Sequence, residues 1–116
     1  MEVKEILQTV VEACEDRKAE NCVVLNMEHL TPVADYFVIC HGNNERQVQA
    51  ITRSVKETLE EQGQVVRRIE GLEQARWVLI DVGEIICHIF HKDERSYYNL
   101  ERLWGDATEV FIGDRQ

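Results

Sequence analysis

The sequence predicts an α+β (α/β-like) fold: a single mixed β-sheet of about five strands with helices packed on it, in the order α-β-β-α-β-β-β-α. Two long segments carry the apolar spacing of amphipathic helices, and several short β-branched runs are typical of strands. The chain has 116 residues, of which 44% are hydrophobic and 30% are charged. That length and composition fit one globular domain, so we expect a single domain over residues 1–116.

The first element is predicted to be a helix over about residues 2–18. Its apolar residues recur at i, i+3, i+4, i+7, i+8 and i+11, which places them on one face: Val3, Ile6, Leu7, Val10, Val11 and Cys14. A short apolar run at residues 22–25 predicts the first strand. Pro32 then interrupts regular structure, because it lacks a backbone N–H and restricts the residue before it.

The middle of the chain predicts a strand, a helix and a strand. Residues 35–40 are apolar on both strand faces after their first residue, which is typical of a central, doubly covered strand. Asn44 and Gln47 have the spacing of a capping box that opens the second helix, and Gly63 is a natural end for it. A strand over residues 65–69 would then complete a right-handed crossover between parallel strands.

Residues 77–90 predict a β-hairpin with a turn at Gly83 and Glu84. If the turn has two residues, Val82 pairs with Ile85 and the side chains divide into two faces. A three-residue turn would instead exchange the two faces of one strand relative to the other. The first face is wholly apolar: Val78, Ile80, Val82, Ile85, Cys87 and Ile89. The second face is aromatic and aliphatic with two polar groups: Trp77, Leu79, Asp81, Ile86, His88 and Phe90. Either the last helix or a protein partner must cover the second face, and the sequence leaves both open.

The last predicted helix begins at Asp93 and Glu94 and ends before Gly105. Three- and four-residue spacing places its side chains on two sides. Arg95, Tyr98 and Arg102 share one side, and Tyr97, Leu100 and Trp104 share the other. Because adjacent tyrosines on a helix point in different directions, at least one should lie near the surface, where it suits an interface. Residues 106–116 are expected to be poorly ordered unless they pack.

The charge of the chain limits its partners. Thirteen Lys and Arg residues against 22 Asp and Glu residues give a formal net charge of −9. Nucleic acids and anionic membranes bind clustered basic residues, and neither Arg17-Lys18 nor Arg67-Arg68 amounts to such a patch. We therefore expect no direct, specific contact with nucleic acid and no membrane partner. A basic protein surface is the better electrostatic match.

Four widely spaced cysteines, three of them inside apolar runs, indicate a reducing compartment. The N-terminal segment lacks the features of a signal or transit peptide, and the apolar runs are shorter than the ~20 residues that a membrane span needs. The predicted location is the cytoplasm.

No motif in the sequence predicts catalysis, a cofactor or a metal site. Cys40-His41 and Cys87-His88, with His91, resemble zinc ligands, but neighbouring strand residues point to opposite faces and no Cys-x-x-Cys spacing is present. A Cys-His nucleophile would need an electropositive, partly exposed pocket, which cysteines in the apolar strands of an acidic domain do not offer. The Gly42-Asn43-Asn44 turn could present N–H groups to an anion, although a helix cap explains it better. No Asp-x-Asp pair is available for a two-metal reaction.

Seven segments between residues 35 and 104 carry a resemblance that covers nearly the whole chain, from about residue 3 to residue 106. They are residues 35–39, 42, 46–48, 70–71, 77–83, 88–90 and 95–104. The final Tyr-Tyr-x-Leu-Glu-x-Leu-Trp run is highly specific. Together they resemble the ribosomal silencing factor family, RsfS, also called Iojap. The resemblance implies a nucleotidyltransferase-like fold without catalytic function, hence no enzyme. It also implies a factor that binds the large ribosomal subunit through ribosomal protein L fourteen, blocks subunit association and represses translation under nutrient limitation.

This resemblance and the second face of the hairpin together predict the partner-contact residues. They are Trp77, Leu79, Asp81, His88, Arg95, Tyr98 and Leu100, with Trp77 and Tyr98 as anchors. Two alternatives stay open. One is a nucleotidyltransferase-like nucleotide-binding enzyme that uses the Gly42 turn, and the other is an interaction module that forms a homodimer through the same sheet face.

Overall fold

The computed structural model describes residues 2–112. Its helices are α1 (Val3–Asp16), α2 (Glu45–Glu61), α3 (Lys92–Tyr98) and α4 (Leu100–Leu103). Its strands are β1 (Glu20–Asn26), β2 (Tyr36–Gly42), β3 (Arg68–Glu70), β4 (Trp77–Asp81), β5 (Ile85–His91) and β6 (Thr108–Val110). No helix within that range is long and apolar enough to cross a membrane.

The six strands form one mixed sheet in the order β3-β4-β5-β2-β1-β6. Strands β2 and β5 are parallel, and the other neighbours are antiparallel. This confirms the predicted α+β class and the central place of β2. The strand count is six instead of about five because residues 106–112 pack, with Val110 of β6 opposite Val24 of β1. The rest of the predicted tail, residues 113–116, lies outside the described residues.

The prediction for the strand after α2 is wrong in its bounds and in its partner. We expected a strand over residues 65–69, parallel to its predecessor, but β3 begins at Arg68 and pairs antiparallel with β4 at the sheet edge. Only its middle residue, Ile69, is partly buried, whereas every residue of β5 is buried. Because a parallel pair needs apolar cover on both faces, β5 takes the place beside β2.

The last helix also differs from the prediction, because Asn99 breaks it into α3 and α4. Asn99 has a left-handed φ of 46°, which asparagine tolerates better than most residues. Its side chain then caps the second helix, since Asn99 Oδ1 accepts from Arg102 N at 3.3 Å. Helix α3 begins at Lys92, with His91 as its cap: His91 Nδ1 accepts from Asp93 N at 3.1 Å.

Asn44 caps α2 as predicted, but the second bond of the predicted capping box goes to the neighbouring residue, Asn43, in place of Asn44. Asn44 Oδ1 accepts a hydrogen bond from Gln47 N at 2.8 Å, and Gln47 Oε1 accepts from Asn43 N at 2.8 Å. Gln47 Nε2 also donates to the carbonyl oxygens of Arg17 and Lys18, at 3.1 and 3.0 Å. One side chain thus ties the start of α2 to the turn after α1.

The hairpin has the predicted two-residue turn. Val82 N donates to Ile85 O at 2.9 Å. The register continues with Ile80 opposite Cys87 and ends with Trp77 opposite Phe90. The two faces therefore divide as predicted.

The two faces of the sheet have separate cores. Helices α1 and α2 cover the first face, and the main core beneath them holds all four cysteines, which are buried and form no disulfide within the described residues. The smaller second core lies on the other face, where residues of β1, β2 and β5 pack against residues of α4 and of the loop between β1 and β2. Its members are Leu25, Met27, Ala34, Phe37, Ile39, Ile86, Phe90 and Leu100. This cover is incomplete, because Trp77 and Leu79 of β4 stay partly exposed.

Candidate partner-binding site

The second face carries a cluster of rings, here called the aromatic face: Phe37, Trp77, His88, Phe90, Tyr97, Tyr98 and Trp104. The ring centroid of Trp77 lies 5.1 Å from that of Phe90 and 4.6 Å from that of Tyr98. Tyr97 lies edge-on against Tyr98 at 5.1 Å. Exposure rises outward, from 0% at Phe90 to 43% at Tyr98 and 80% at Tyr97. The inner rings therefore belong to the core, and the outer rings form a surface.

A hydrogen bond links Trp77 to His88 on the neighbouring strand. Trp77 Nε1 donates to His88 Nδ1 at 3.1 Å, so the imidazole is neutral and carries its proton on Nε2. Burial lowers the pKa of His88 from 6.5 to about 4, which keeps the ring neutral near pH 7. Within residues 2–112, His88 Nε2 has no hydrogen-bond partner. The imidazole thus offers an acceptor to Trp77 while its own donor stays unsatisfied.

A tight loop sets the position of Trp77. Gly71 has a φ of +84°, and a Cβ on this residue would collide with Trp77 O. Ala75 N donates to Gly71 O at 2.9 Å, and Ala75 is fully buried with a φ of 55°. Because glycine alone adopts this conformation without steric cost and leaves the space, residue 71 lets the loop close against the start of β4.

Arg76 ties the start of β4 to two helices. Arg76 Nη2 lies 2.6 Å from Glu94 Oε1 on α3, and Arg76 Nη1 lies 3.1 Å from Glu45 Oε1 on α2. The carbonyl oxygen of Arg76 accepts from His91 N at 2.9 Å. These contacts fix the beginning of β4 relative to α3, which carries both tyrosines.

The structure brings together three of the predicted partner-contact residues: Trp77, His88 and Tyr98. Leu79 lies opposite His88 on β4 and is partly exposed. Asp81 lies at the far end of β4, where its Oδ1 accepts from Gly83 N at 2.9 Å and its Oδ2 lies 3.5 Å from Arg68 Nε. Asp81 therefore stabilises the hairpin turn.

The other two predicted residues, Arg95 and Leu100, lie within the fold. Arg95 is 8% exposed, and its Nε and Nη2 donate to Glu101 Oε2 at 3.3 and 2.9 Å. Its Nη1 donates to Glu20 O at 3.2 Å and to His41 Nδ1 at 2.9 Å. Burial, and then the charge of Arg95, lower the pKa of His41. Leu100 is part of the second core, so both residues hold α3 and α4 against the sheet.

Two further exposed residues, Tyr97 and Leu103, belong to this surface although the sequence analysis did not choose them. They line a shallow groove of about 520 Å³ together with Ser96, Tyr98, Asn99 and Arg102. A continuous helix would place Tyr97 on the side of the buried Leu100, and the break at Asn99 removes that phase relation. Asn99 was the one local feature of the sequence that could have indicated this break.

Comparison with known proteins identifies the chain. A family model described as ribosomal silencing factor during starvation matches residues 1–116. The chain belongs to this family. It is 57% identical over 110 residues to ribosomal silencing factor RsfS of Halalkalibacterium halodurans, with 95% of this chain and 94% of that protein covered. It is 55% identical over 107 residues to the Bacillus subtilis RsfS, with 92% and 91% covered.

Two solved structures share the architecture of this chain. A crystal structure of a Chromobacterium violaceum protein superposes with a TM-score of 0.89 at 34% identity and covers 99% of this chain and 96% of that one. A crystal structure from Bacillus halodurans gives a TM-score of 0.84 at 53% identity, with 94% and 99% covered. The chloroplast protein Iojap of maize is 28% identical over 102 residues, which span 44% of its length.

Proposed function

We propose that this chain represses translation by binding the large ribosomal subunit through ribosomal protein L fourteen and blocking its association with the small subunit. Membership of the ribosomal silencing factor family supports the regulatory part of the proposal. The observation that carries the docking part is the aromatic face, where Trp77 and Tyr98 lie in contact at the boundary between core and solvent.

The chemistry of the aromatic face suits a protein partner. Interface hot spots are enriched in Trp, Tyr and Arg, and they are surrounded by residues that exclude water. Trp77 and Tyr98 are the anchors of the proposal, with Leu79 beside them on β4. Tyr97 and Leu103 extend the apolar surface outward, and both are more than half exposed. Arg95 and Leu100 lie within the fold, where they hold α3, which carries both tyrosines, and α4 against the sheet.

Charge and size support the same proposal. A net charge of −9 attracts a basic ribosomal protein and accelerates its encounter with the domain. The described domain measures only 33 × 33 × 28 Å. An object of this size hinders subunit joining by occupying a contact that the small subunit needs. The working location would be the cytoplasm, where ribosomal subunits join.

The nucleotide-binding alternative is weaker, because the Gly42 turn is already engaged. The backbone N–H groups of Asn43 and Gln47 donate to the side chains of Gln47 and Asn44, so these groups are not available to an anion. Titration calorimetry with ATP and magnesium tests this directly, and we expect no heat of binding.

The docking proposal is tested by co-sedimentation with purified large subunits. Trp77→Ala and Tyr98→Ala should each weaken binding by about tenfold or more, the range typical of interface anchors. Glu57→Ala on α2, on the opposite side of the sheet, is the matched control and should bind like wild type. Circular dichroism confirms that each variant is folded. Undiminished co-sedimentation by both folded anchor variants would refute the proposed docking face.

The homodimer alternative predicts a different pattern. If two copies associate through the aromatic face, light scattering shows a dimer that Trp77→Ala converts to a monomer, and added large subunits compete with dimerisation. A wild-type protein that stays monomeric at assay concentrations leaves the face free for the ribosome.

A further inference from the structure

His88 is a polar residue in an apolar position. It lies in the middle of β5, between Leu79 on β4 and Ile39 on β2, and it is 5% exposed. The residues two places before and after it on the same face, Ile86 and Phe90, are apolar and buried. An aliphatic or phenyl side chain would satisfy burial here without leaving an unpartnered nitrogen. The imidazole therefore requires an explanation beyond packing.

What the imidazole supplies is an acceptor for the indole of Trp77. The bond from Trp77 Nε1 to His88 Nδ1 is 3.1 Å long and joins the two strands side by side. A partly buried indole N–H needs such a partner, since an unsatisfied donor is unfavourable away from water. Burial keeps the ring of His88 neutral, so the acceptor is present throughout the physiological pH range.

The imidazole is itself held by neighbouring rings. Phe37 of β2 contacts it with centroids 4.6 Å apart and planes at 68°, and Trp104 lies edge-on against Phe37 at 6.2 Å. On the other side, Phe90 stacks on Trp77 at 5.1 Å. A chain of contacts thus runs from the second core through His88 to the partly exposed indole.

We infer that His88 is a positioning residue: its hydrogen bond fixes the orientation in which Trp77 is presented, together with Tyr98, to the binding partner. His88 acts through Trp77 and does not touch the partner itself, because its ring is buried beneath the outer rings of the aromatic face. The inference rests on the proposed docking function, and it assigns to this residue a role that its burial alone would not reveal. A pre-oriented anchor loses less side-chain freedom on binding, which raises affinity without adding a contact.

Two substitutions separate this role from packing. His88→Leu removes the acceptor and keeps the residue apolar, whereas His88→Asn keeps an acceptor, Oδ1, close to the place of Nδ1. In an ¹H–¹⁵N spectrum, His88→Leu should move the indole N–H resonance of Trp77, assigned through Trp77→Phe, while His88→Asn should leave it near its wild-type position. Trp104 supplies the second indole resonance as an internal reference.

Binding to large subunits is then measured for the same proteins. We expect His88→Leu to bind about fivefold more weakly, the effect of one net hydrogen bond, and His88→Asn to bind like wild type. Wild-type affinity of His88→Leu, or equally weak binding by both variants while His88→Asn keeps the indole resonance, would overturn the inference. If His88→Leu melts below the assay temperature, His88→Phe replaces it, because it keeps a flat ring and also lacks the acceptor.

Trp77→Ala, measured in parallel, separates the failure of this inference from that of the proposed function. Undiminished binding by Trp77→Ala refutes the inference, and undiminished binding by Tyr98→Ala as well refutes the docking face. Weakened binding by Trp77→Ala with wild-type binding by His88→Leu refutes the inference alone.

Discussion

The stability of the domain should depend on pH through His88. Burial lowers the pKa of this imidazole to about 4 in the folded protein, whereas it titrates near its ordinary value of 6.5 in the unfolded chain. Between these values the unfolded state binds more protons than the folded state. The stability that neutral His88 provides is therefore complete above pH 6.5 and is lost as the pH falls toward 4.

The size of this effect follows from the two pKa values. Each unit of difference corresponds to about 1.4 kcal/mol, so the interval from 6.5 down to about 4 is equivalent to about 3 kcal/mol of unfolding free energy. Most of that, about 2.5 kcal/mol, is already lost at pH 4.5. This is a large share of the 5–15 kcal/mol, roughly, that stabilises a typical domain.

Urea denaturation at several pH values between 7 and 4.5 measures the effect. Wild type should lose about 2.5 kcal/mol more than His88→Asn over this interval, because Asn does not titrate. The carboxylates are common to both proteins and cancel in the difference, as does His41, whose pKa is also lowered. Two parallel curves of stability against pH would show that burial does not lower the pKa of His88.

Three further predictions concern stability and binding. Gly71→Ala should lower the free energy of unfolding by about 2 kcal/mol or more, because the new Cβ would sit at a positive φ and collide with Trp77 O. Gly63→Ala has φ +79° but open space, so it should lower the free energy of unfolding by only about 1 kcal/mol. Urea denaturation of both variants measures the difference. Leu100→Ala should lose about 2–4 kcal/mol by leaving a cavity, while the exposed Leu103→Ala should keep its melting temperature and lose affinity for large subunits. Arg95→Gln should lose about 3 kcal/mol, because it strands a carboxylate and a carbonyl that the guanidinium now binds; a wild-type melting temperature would contradict this.

Local patterns explain the parts of the fold that the sequence analysis predicted correctly. The apolar stripe of α1 depends on spacings of three and four residues, and the cap of α2 depends on Asn44 and Gln47 alone. The faces of the hairpin follow from the length of one turn, since Val82 opposite Ile85 decides every other pair. Each of these features depends on residues that are close together in the chain, so the local sequence is enough to predict it.

The incorrect parts depend on distant segments. The choice of β5 over β3 as the parallel neighbour of β2 is made by burial on both faces of the finished sheet. β6 forms because β1 offers a free edge for it to pair with, and the residues around Val110 alone do not predict that pairing. The break at Asn99 is stabilised by its side-chain bond to Arg102 N, and it competes with a helical pattern that is otherwise continuous.

The candidate site, like the fold, was predictable where it depends on local pattern and not where it depends on distant residues. Trp77 and His88 were placed on one face by strand alternation, and the bond between them needs only the register of the hairpin. The burial of Arg95 was not predictable, because its partners come from α4, from β1 and from the end of β2. A charged residue becomes a structural one only when such distant groups converge.

Subunit joining itself tests the central claim most directly. Purified small and large subunits are mixed with the protein and separated on a sucrose gradient, and the fraction of joined ribosomes is measured. We predict that wild type shifts joined ribosomes to free subunits and that a folded Trp77→Ala/Tyr98→Ala double variant does not. A double variant that blocks joining as efficiently as wild type would contradict the claim that the aromatic face docks this domain on the large subunit.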